Sequence, residues 1–405
     1  MRILHVEKQL SLRAGIGSYV RCLSRIQAAG GHEVGFFTCA NGDGEAGAPR
    51  FFDFTATRSP RAMLRMIHNE EAAETLADVL RARRYDVAHL HNVYHHLTPS
   101  ILPVLSNRRI GIVMSVHDYR LACPTKHFLR ADGLCTRCLP NRFYHAASPR
   151  CAGMGGAALA VESLFQRLFR RYFRWVDLFV CPTRFMREVL LRTGLPASKA
   201  VVVPNVIGDC GLAGTAGDEK APPGGRELLF AGRLSEEKSP QLMLELARRI
   251  RSVRVVIAGD GPLRDALHAR AADETLDNVT FTAQVDRRAL MRLLARATAV
   301  VLPSRCMENS PQTMLEAMAA GRCVIVSDHP PLMEWVQDKV TGRVFRSGEA
   351  HSLCRVAQEV LGDEAARSRM ALAGQRLVTL RHDGQAIARQ IDELYEEAIR
   401  RCALR

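Results

Sequence analysis

Features of a membrane-embedded or secreted protein are missing from this sequence of 405 residues. It has no apolar stretch of about eighteen residues, roughly the length that a membrane-spanning helix needs. Its start, MRILHVE, is typical of a strand and lacks the apolar core of a signal peptide. Twelve cysteines without such a signal also argue for a reducing compartment. We therefore expect a cytoplasmic protein that is at most peripheral at the inner face of the membrane.

Lysine is scarce, since it supplies 6 of the 56 basic residues and arginine supplies the other 50. Such a bias is partly typical of coding composition, so we do not take the net charge of +14 as evidence for a particular partner. The chain also lacks a helix-turn-helix pattern, an RNA-binding aromatic motif and the histidine pair of a zinc finger. We therefore expect no nucleic-acid partner.

Apolar runs of strand length alternate with helix-length segments through both halves of the chain. This rhythm predicts an α/β protein with two parallel, doubly wound sheets, and the length suits two domains. A stretch rich in glycine, alanine and proline, 207–225, reads as a linker between them. The predicted domains are 1–206 and 226–380, followed by a terminal helix at 381–405.

The segment VVLPSRCMENSPQTMLEAMAAGRCVIV, 300–326, places two glutamates eight residues apart across a strand, a loop and a helix start. Ser310 and Pro311 suit the N-cap and first helical position, and Gly321 suits the helix end. Glu308 would then follow a strand, where open α/β sheets bind ligands, and Glu316 would lie in the helix. Carboxylates accept hydrogen bonds from vicinal hydroxyls, so the pair could hold a ribose and a sugar ring. The alternative is two solvated positions on an amphipathic helix.

A second strand, in ELLFAGRLSEEKSP at 227–240, runs into Gly232, Arg233 and Lys238. Fixed cations stabilise the charge that grows on a departing diphosphate. Arg233 could fork onto two oxygens, while Lys238 would act as a point charge. Either residue taken alone could instead belong to a charged surface turn.

Three motifs together resemble the retaining family-4 glycosyltransferases of GT-B fold, in which two Rossmann-like domains face a central cleft. They are GR-x4-K at 232–238, GDGP at 259–262, and E-x7-E from Glu308 followed by EAMAAG. The resemblance implies that Gly232, Arg233 and Lys238 contact the donor diphosphate and that Glu316 holds the ribose. It also implies that Glu308 holds the transferred sugar together with the backbone after it, at Asn309 and Ser310.

The activity that this resemblance implies is transfer of a sugar from a UDP- or GDP-linked donor to a glycan or lipid-linked acceptor. A role in cell-surface polysaccharide synthesis would fit such acceptors. In this family the leaving diphosphate takes the proton from the acceptor, so no protein nucleophile and no metal is implied for the transfer. The alternatives are a nucleotide-sugar epimerase or isomerase, which would need an acid and a base at the sugar carbon, and a non-catalytic nucleotide-sugar-binding protein.

In the first half, Gly15 and His117 match positions that the family uses near the donor. Gly15 lies in AGIGSYV, directly after the first predicted strand, and Gly17 suits the helix start. His117 ends a strand in SVHDY, where Asp118 could orient an acceptor or cap the next turn. Asn205, in VVVPNV, matches another position of the family near the cleft. Gly15 could also belong to a plain turn, and His117 to the hydrogen-bonded core.

An insert at about 120–155 contains Cys123, Cys135, Cys138 and Cys151, spaced C-x11-C-x2-C-x12-C. Such a set could close a structural zinc site in a segment with few aliphatic residues. The alternative is a set of reduced thiols, since the other cysteines are scattered along the chain. If ordered, the insert would overhang the acceptor side of the cleft.

The segment VESLFQRLFRRYFRW, 161–175, places leucines and aromatics on one helical face with arginines around it. Such a helix could lie on an anionic membrane, as a peripheral contact. The favoured interpretation is an internal helix that packs on the sheet, with its arginines reaching solvent at the rim.

Overall fold

The computed structural model describes residues 1–8, 15–39, 65–91, 93–147, 151, 156–207 and 226–405. The chain forms two compact units. One contains 1–126, 136–208 and 383–405, and the other contains 127–135 and 209–382. Nearly all of the predicted linker, 207–225, lies outside the described residues.

The first unit is built on a six-stranded parallel sheet in the order β2-β1-β3-β4-β7-β8. Its strands are β1 (Arg2–Glu7), β2 (Glu33–Thr38), β3 (Val87–Leu90), β4 (Gly111–Ser115), β7 (Leu178–Cys181) and β8 (Ala200–Val202). Its helices are α1 (Gly15–Ala29), α2 (Glu70–Ala82), α3 (Ile101–Asn107), α4 (Gly156–Tyr172), α5 (Arg184–Arg192) and α13 (Gly384–Ala403).

The second unit has a parallel sheet of the same size, in the order β11-β10-β9-β12-β13-β14. Its strands are β9 (Glu227–Ala231), β10 (Arg254–Ala258), β11 (Val279–Thr282), β12 (Ala299–Leu302), β13 (Cys323–Ser327) and β14 (Arg343–Phe345). Its helices are α6 (Gln241–Arg249), α7 (Arg264–Asp273), α8 (Arg287–Arg296), α9 (Gln312–Ala319), α10 (Pro330–Met333), α11 (Ala350–Gly362) and α12 (Glu364–Arg381).

The apolar runs of the sequence became the central strands of both sheets. Every residue of β3, β4, β12 and β13 is buried, because helices cover both faces of a doubly wound parallel sheet. In the second sheet the strand order reverses between β9 and β12, so the loops after these strands lie at a topological switch point. The predicted α/β fold class is confirmed.

The terminal helix α13 packs on the first unit, against α1 and β4. Gly111 in β4 makes this approach close, since a Cβ there would lie 2.9 Å from the backbone nitrogen of Ile399. Ile391 and Tyr395 are fully buried in the same core. Residues near the end of the chain thus complete the core of the first unit.

Part of the cysteine insert differs from its expected place. The segment 127–135, with the short antiparallel strands β5 (Leu129–Arg130) and β6 (Gly133–Leu134), belongs to the second unit. The predicted bounds 1–206 therefore include a hairpin that belongs to the second unit. The reason is a tertiary contact, since the backbone N–H of Met307 donates to the carbonyl of His127 at 3.1 Å.

The helix over 161–175 follows the favoured interpretation. Phe165 and Phe169 are each 1% exposed, and their rings pack against one another at a tilt of 47°, while Phe169 packs edge-on against Phe173. Phe165, Phe169 and Phe173 therefore fill part of the core of the first unit, whereas Leu164 on the predicted apolar face is 49% exposed. The predicted membrane contact stays a prediction. Across the described ranges, no helix combines the length and the apolar character needed to cross a bilayer.

Candidate functional site in the second unit

The loops after β9 and β12 meet because their strands are neighbours in the sheet. The first loop contains a short 3₁₀ helix, Glu236–Lys238, and the second passes Ser304 and Glu308. The backbone N–H of Arg305 donates to the carbonyl of Glu237 at 2.9 Å, which ties the loops together. The two motifs that the sequence singled out thus form one surface.

Lys238 and Glu308, predicted separately, are direct partners. Lys238 Nζ lies 2.5 Å from Glu308 Oε1, and Ser304 Oγ donates to the same oxygen at 2.5 Å. The Glu308 side chain is 10% exposed and that of Lys238 is 29% exposed. The pair is therefore largely withdrawn from solvent at the carboxyl ends of the strands.

This contact keeps both groups charged. Burial would raise the pKa of Glu308, but Lys238 and the hydroxyl of Ser304 outweigh it and hold that pKa below the ordinary value. Burial would lower the pKa of Lys238, but the charge of Glu308 outweighs it and raises that pKa. The site therefore presents a fixed cation and a fixed carboxylate at neutral pH.

Arg233 is exposed, and its guanidinium has no hydrogen-bond or ion-pair partner among the described residues. The GDGP loop supports the backbone beside it. Gly259, at φ +143°, packs so closely that a Cβ there would lie 1.9 Å from the carbonyl oxygen of Gly232. Leu234 N–H donates to the carbonyl of Asp260 at 2.9 Å. The glycines of this motif therefore shape the loop that presents Arg233.

The helix after Glu308 begins one residue later than predicted. Pro311 is the N-cap of α9, in an extended conformation, and Ser310 is not its cap. The Ser310 hydroxyl is buried without a hydrogen-bond partner, and Glu308 and Asn309 before it are each 8% exposed. Gly321 ends the helix at φ +66°, as predicted. An orphaned buried hydroxyl beside a helix start is a ready contact for a polar ligand.

Glu316 is buried in α9 and pairs with an arginine that the sequence reasoning missed. Arg287 Nη1, at the start of α8, lies 2.6 Å from Glu316 Oε1. Burial raises the pKa of Glu316, and Arg287 opposes that rise. The first turn of a helix is the positive end of the helix dipole, so an arginine there is unfavourable without a partner. This position of Arg287 was the signal in the sequence that could have revealed its role.

Two further contributors were missed. His329 is 2% exposed and donates from Nε2 to the carbonyl of Ser304 at 3.0 Å, so it supports the residue that holds Glu308. An open groove of about 600 Å³ beside these loops is lined by Arg305, His329 and Ser347 and by Leu134 of the insert hairpin. Outside the hairpin, its lining residues follow four strands of the second sheet, β9, β12, β13 and β14, so no single motif could reveal it.

The predicted residues of the first unit lie at the same kind of edge. Gly15 is the first residue of α1, after β1, and His117 follows β4. Asp118 accepts from the backbone N–H of Arg120 at 2.9 Å, which confirms its role as a cap of the following turn. Asn205 is partly buried after β8. The roles of Gly15, His117 and Asn205 toward a donor stay predictions.

The four insert cysteines are divided between the two units. Three histidines of the first unit form a group whose ligand atoms lie within 4.8 Å of one another, and this is the group of that kind among the described residues. Cys138 packs in a small apolar cluster with Cys151, whereas Cys135 lies in the hairpin of the second unit. The zinc site built from Cys123, Cys135, Cys138 and Cys151 stays a prediction. Elemental analysis for zinc would decide between that prediction and reduced thiols.

Comparison with known proteins agrees with this architecture. A family model described as Glycosyltransferase Family 4 matches 13–208, and one described as Glycosyl transferases group 1 matches 216–377. The glycogen synthase of Mycobacterium tuberculosis is 33% identical over 182 residues, 44% of each chain. The phosphatidyl-myo-inositol mannosyltransferase of Mycolicibacterium smegmatis is 28% identical over 240 residues, 58% of this chain and 61% of that protein. The chain thus spans about half the length of the curated relatives it matches.

Among solved structures, HepE of Anabaena, in complex with UDP and glucose, aligns with a TM-score of 0.71. The alignment covers 98% of this chain and 99% of that one at 18% identity, so it speaks for the fold alone. With a family model on each half and a shared two-sheet fold, this chain belongs to the family-4 glycosyltransferases of GT-B fold.

Proposed function

We propose that the protein is a retaining glycosyltransferase. It would move a sugar from a nucleoside-diphosphate sugar to a hydroxyl of a glycan or lipid-linked acceptor, in the synthesis of a cell-surface polysaccharide. The donor would lie against the loops after β9 and β12, and no metal would take part in the transfer.

The observation that carries this proposal is the pairing of Lys238 with Glu308 beside an unpartnered Arg233. Two cations at one strand edge suit a diphosphate, and the carboxylate next to them suits the hydroxyls of a sugar. Lys238 can turn from Glu308 to a phosphate oxygen when a donor binds, which would leave the carboxylate to accept from the sugar. The buried Ser310 hydroxyl gives a further polar contact at the same place.

Glu316 would hold the ribose of the donor. Its second carboxylate oxygen remains for the ribose because Arg287 engages Oε1. The Arg287 contact fixes the orientation of the carboxylate before the donor arrives, which lowers the entropic cost of binding.

The proposed reaction takes place on one face of the sugar. The acceptor oxygen forms a bond to the anomeric carbon as the bond from that carbon to the β-phosphate oxygen breaks. The acceptor proton passes to the departing diphosphate, so the anomeric configuration is retained without a protein nucleophile. Arg233 and Lys238 would stabilise the negative charge that grows on the diphosphate, where fixed charges act more strongly than water.

The first donor to test is UDP-glucose, because HepE was solved with UDP and glucose. GDP-linked sugars come next, because the mannosyltransferase of Mycolicibacterium smegmatis matches this chain over 240 residues. Both kinds of acceptor should be tested. The relatives include a glycogen synthase, whose name points to a glycan, and a phosphatidyl-myo-inositol mannosyltransferase, whose name points to a lipid.

The test is a panel of UDP-, GDP- and ADP-sugars in which release of nucleoside diphosphate is measured with wild type and with Lys238→Ala. We expect slow release from one donor, lost in the variant, and an α-linked product from an α-linked donor once an acceptor is supplied. A product of inverted configuration would overturn the retaining assignment. A donor converted to an epimer without diphosphate release would identify an epimerase instead.

A further inference from the structure

A chain of hydrogen-bonded side chains runs through the core of the first unit to His117. His5 Nε2 lies 2.8 Å from Gln27 Oε1, and His5 Nδ1 lies 3.1 Å from His91 Nε2. His91 Nδ1 in turn lies 3.1 Å from His117 Nε2. His5, Gln27 and His91 are each at most 1% exposed, whereas His117 is partly exposed at the end of β4.

A branch leaves this chain at Gln27. Its Nε2 donates to the hydroxyl of Tyr395 at 3.1 Å, and that hydroxyl lies 2.6 Å from His89 Nδ1. His89 Nε2 lies 2.8 Å from the hydroxyl of Ser115. Every nitrogen of His5, His89 and His91 therefore has a partner inside the unit.

The imidazoles of the chain are neutral. Burial lowers the pKa of His5 and of His117 to about 4. Burial, helped by the neighbouring histidines, lowers the pKa of His89 and His91 well below the ordinary value. A neutral imidazole has one N–H donor and one acceptor nitrogen, so each hydrogen bond in the chain fixes the next.

The direction follows from Gln27. Its amide NH₂ donates to Tyr395, so its Oε1 faces His5 and can only accept, and the proton of His5 is on Nε2. His5 Nδ1 then accepts from Nε2–H of His91. His91 Nδ1 accepts in the same way from Nε2–H of His117. The remaining nitrogen of His117, Nδ1, is left with a lone pair.

The orientation of the Gln27 amide also sets the direction of the branch. Because Tyr395 accepts from Gln27, its single O–H donates to His89 Nδ1. The proton of His89 is then on Nε2, which donates to the hydroxyl of Ser115. The directions are thus consistent throughout the network, which a mixture of tautomers would not satisfy.

We propose that Gln27, acting through His5 and His91, fixes His117 in the Nε2–H tautomer, so that Nδ1 is an acceptor for a hydroxyl of the bound substrate. Gln27, His5 and His91 are positioning residues in this scheme. The tautomer does not depend on the proposed function, whereas its use toward a sugar hydroxyl rests on it.

A metal site is the alternative interpretation of these histidines, because ligand atoms of His5, His89 and His91 lie within 4.8 Å of one another. Binding a cation there would require these nitrogens to give up partners at 2.6 to 3.1 Å. The complete pairing therefore favours a hydrogen-bonded network over a metal ligand set.

The test is proton–nitrogen correlation NMR of the full chain, with ¹⁵N-labelled histidine and no donor, at pH 7. The signals of His117 are assigned by their loss in His117→Gln. We expect His117, His91 and His5 all to be protonated on Nε2. His117 protonated on Nδ1, or an even mixture of both forms, would overturn the proposal.

Variants locate the origin of the effect. Gln27→Met removes the acceptor, and we expect the three rings to lose their uniform tautomer; unchanged spectra would show that Gln27 does not set it. Tyr395→Phe removes the hydroxyl that orients the Gln27 amide, and the same loss is expected there.

Adding zinc ions to wild type should leave the histidine signals in place. Stoichiometric shifts of His5, His89 and His91 would mean a metal site and overturn the proposal.

Discussion

Arg287 holds one carboxylate oxygen of Glu316 at 2.6 Å across two helices, α8 and α9. Burial pushes the pKa of Glu316 upward and the arginine opposes it. The residue proposed to bind the ribose is therefore oriented by a partner 29 positions away in the sequence.

Replacing this arginine should weaken donor binding more than it slows the reaction. In Arg287→Ala, Glu316 loses its orientation and the opposition to its raised pKa. We expect the KM for the donor to rise by about tenfold, roughly 1.4 kcal/mol, with a smaller change in kcat. The matched control is Arg288→Ala, which removes the exposed neighbouring cation. Steady-state kinetics at pH 7 measure both; equal effects of the two variants would contradict the Glu316 assignment.

Removing the cation at the strand edge should affect catalysis strongly. Lys238→Ala is expected to stay folded and to lose roughly 30- to 1,000-fold in donor turnover, on the order of 2 to 4 kcal/mol of transition-state stabilisation. Arg248→Ala, which removes a half-exposed cation near the end of α6, is the control for net charge. Normal turnover in Lys238→Ala would refute the assignment of the donor site.

The Lys238–Glu308 pair should also contribute stability with a defined pH window. The pKa of Glu308 is lowered, so its contribution is present above the ordinary value of 4.5 and is lost as the pH falls through the folded value. The pKa of Lys238 is raised, so its contribution is present below the ordinary value of 10.5 and is lost as the pH rises through the folded value. The pair therefore stabilises the second unit throughout the neutral range.

Lys238→Met should accordingly lower the free energy of unfolding by about 2 kcal/mol at pH 7, between the values typical of exposed and fully buried pairs. Urea denaturation at pH 7 and pH 3 measures it. The deficit should shrink at pH 3. In the variant, Lys238 no longer lowers the pKa of Glu308, so acid protonates the carboxylate and removes the buried, uncompensated charge. A deficit of the same size at both pH values would show that packing, not charge, is responsible.

Gly259 should tolerate no side chain. In Gly259→Ala the new Cβ would overlap the carbonyl of Gly232, so the loop that presents Arg233 must move. We expect a loss of stability on the order of 2 to 4 kcal/mol and a large fall in turnover. Gly348→Ala is the control, since Gly348 also has a positive φ, +79°, but nothing within 4 Å of the added atom. Similar melting temperatures for the two variants would rule out the predicted clash.

Much of the fold could be predicted because it depends on local patterns. The runs GIVM and AVVL are apolar throughout, as is typical of a strand covered on both faces, and they lie in β4 and β12. The loops that follow such strands lie at one sheet edge, so Arg233, Lys238, Glu308 and Glu316 could be placed at a site from their sequence positions. The start of α9 differed by one residue, because Pro311 took the extended cap conformation that Ser310 was expected to have.

Contacts between residues distant in the sequence could not be read in this way. The pairing of Arg287 with Glu316, the contact of His127 with Met307, and the chain from Gln27 to His117 join segments with no common motif. The spacing of residues along a chain fixes which strand end a side chain follows. Which atoms then come within hydrogen-bonding distance depends on how helices and loops pack over the sheet, and that packing is a property of the folded core.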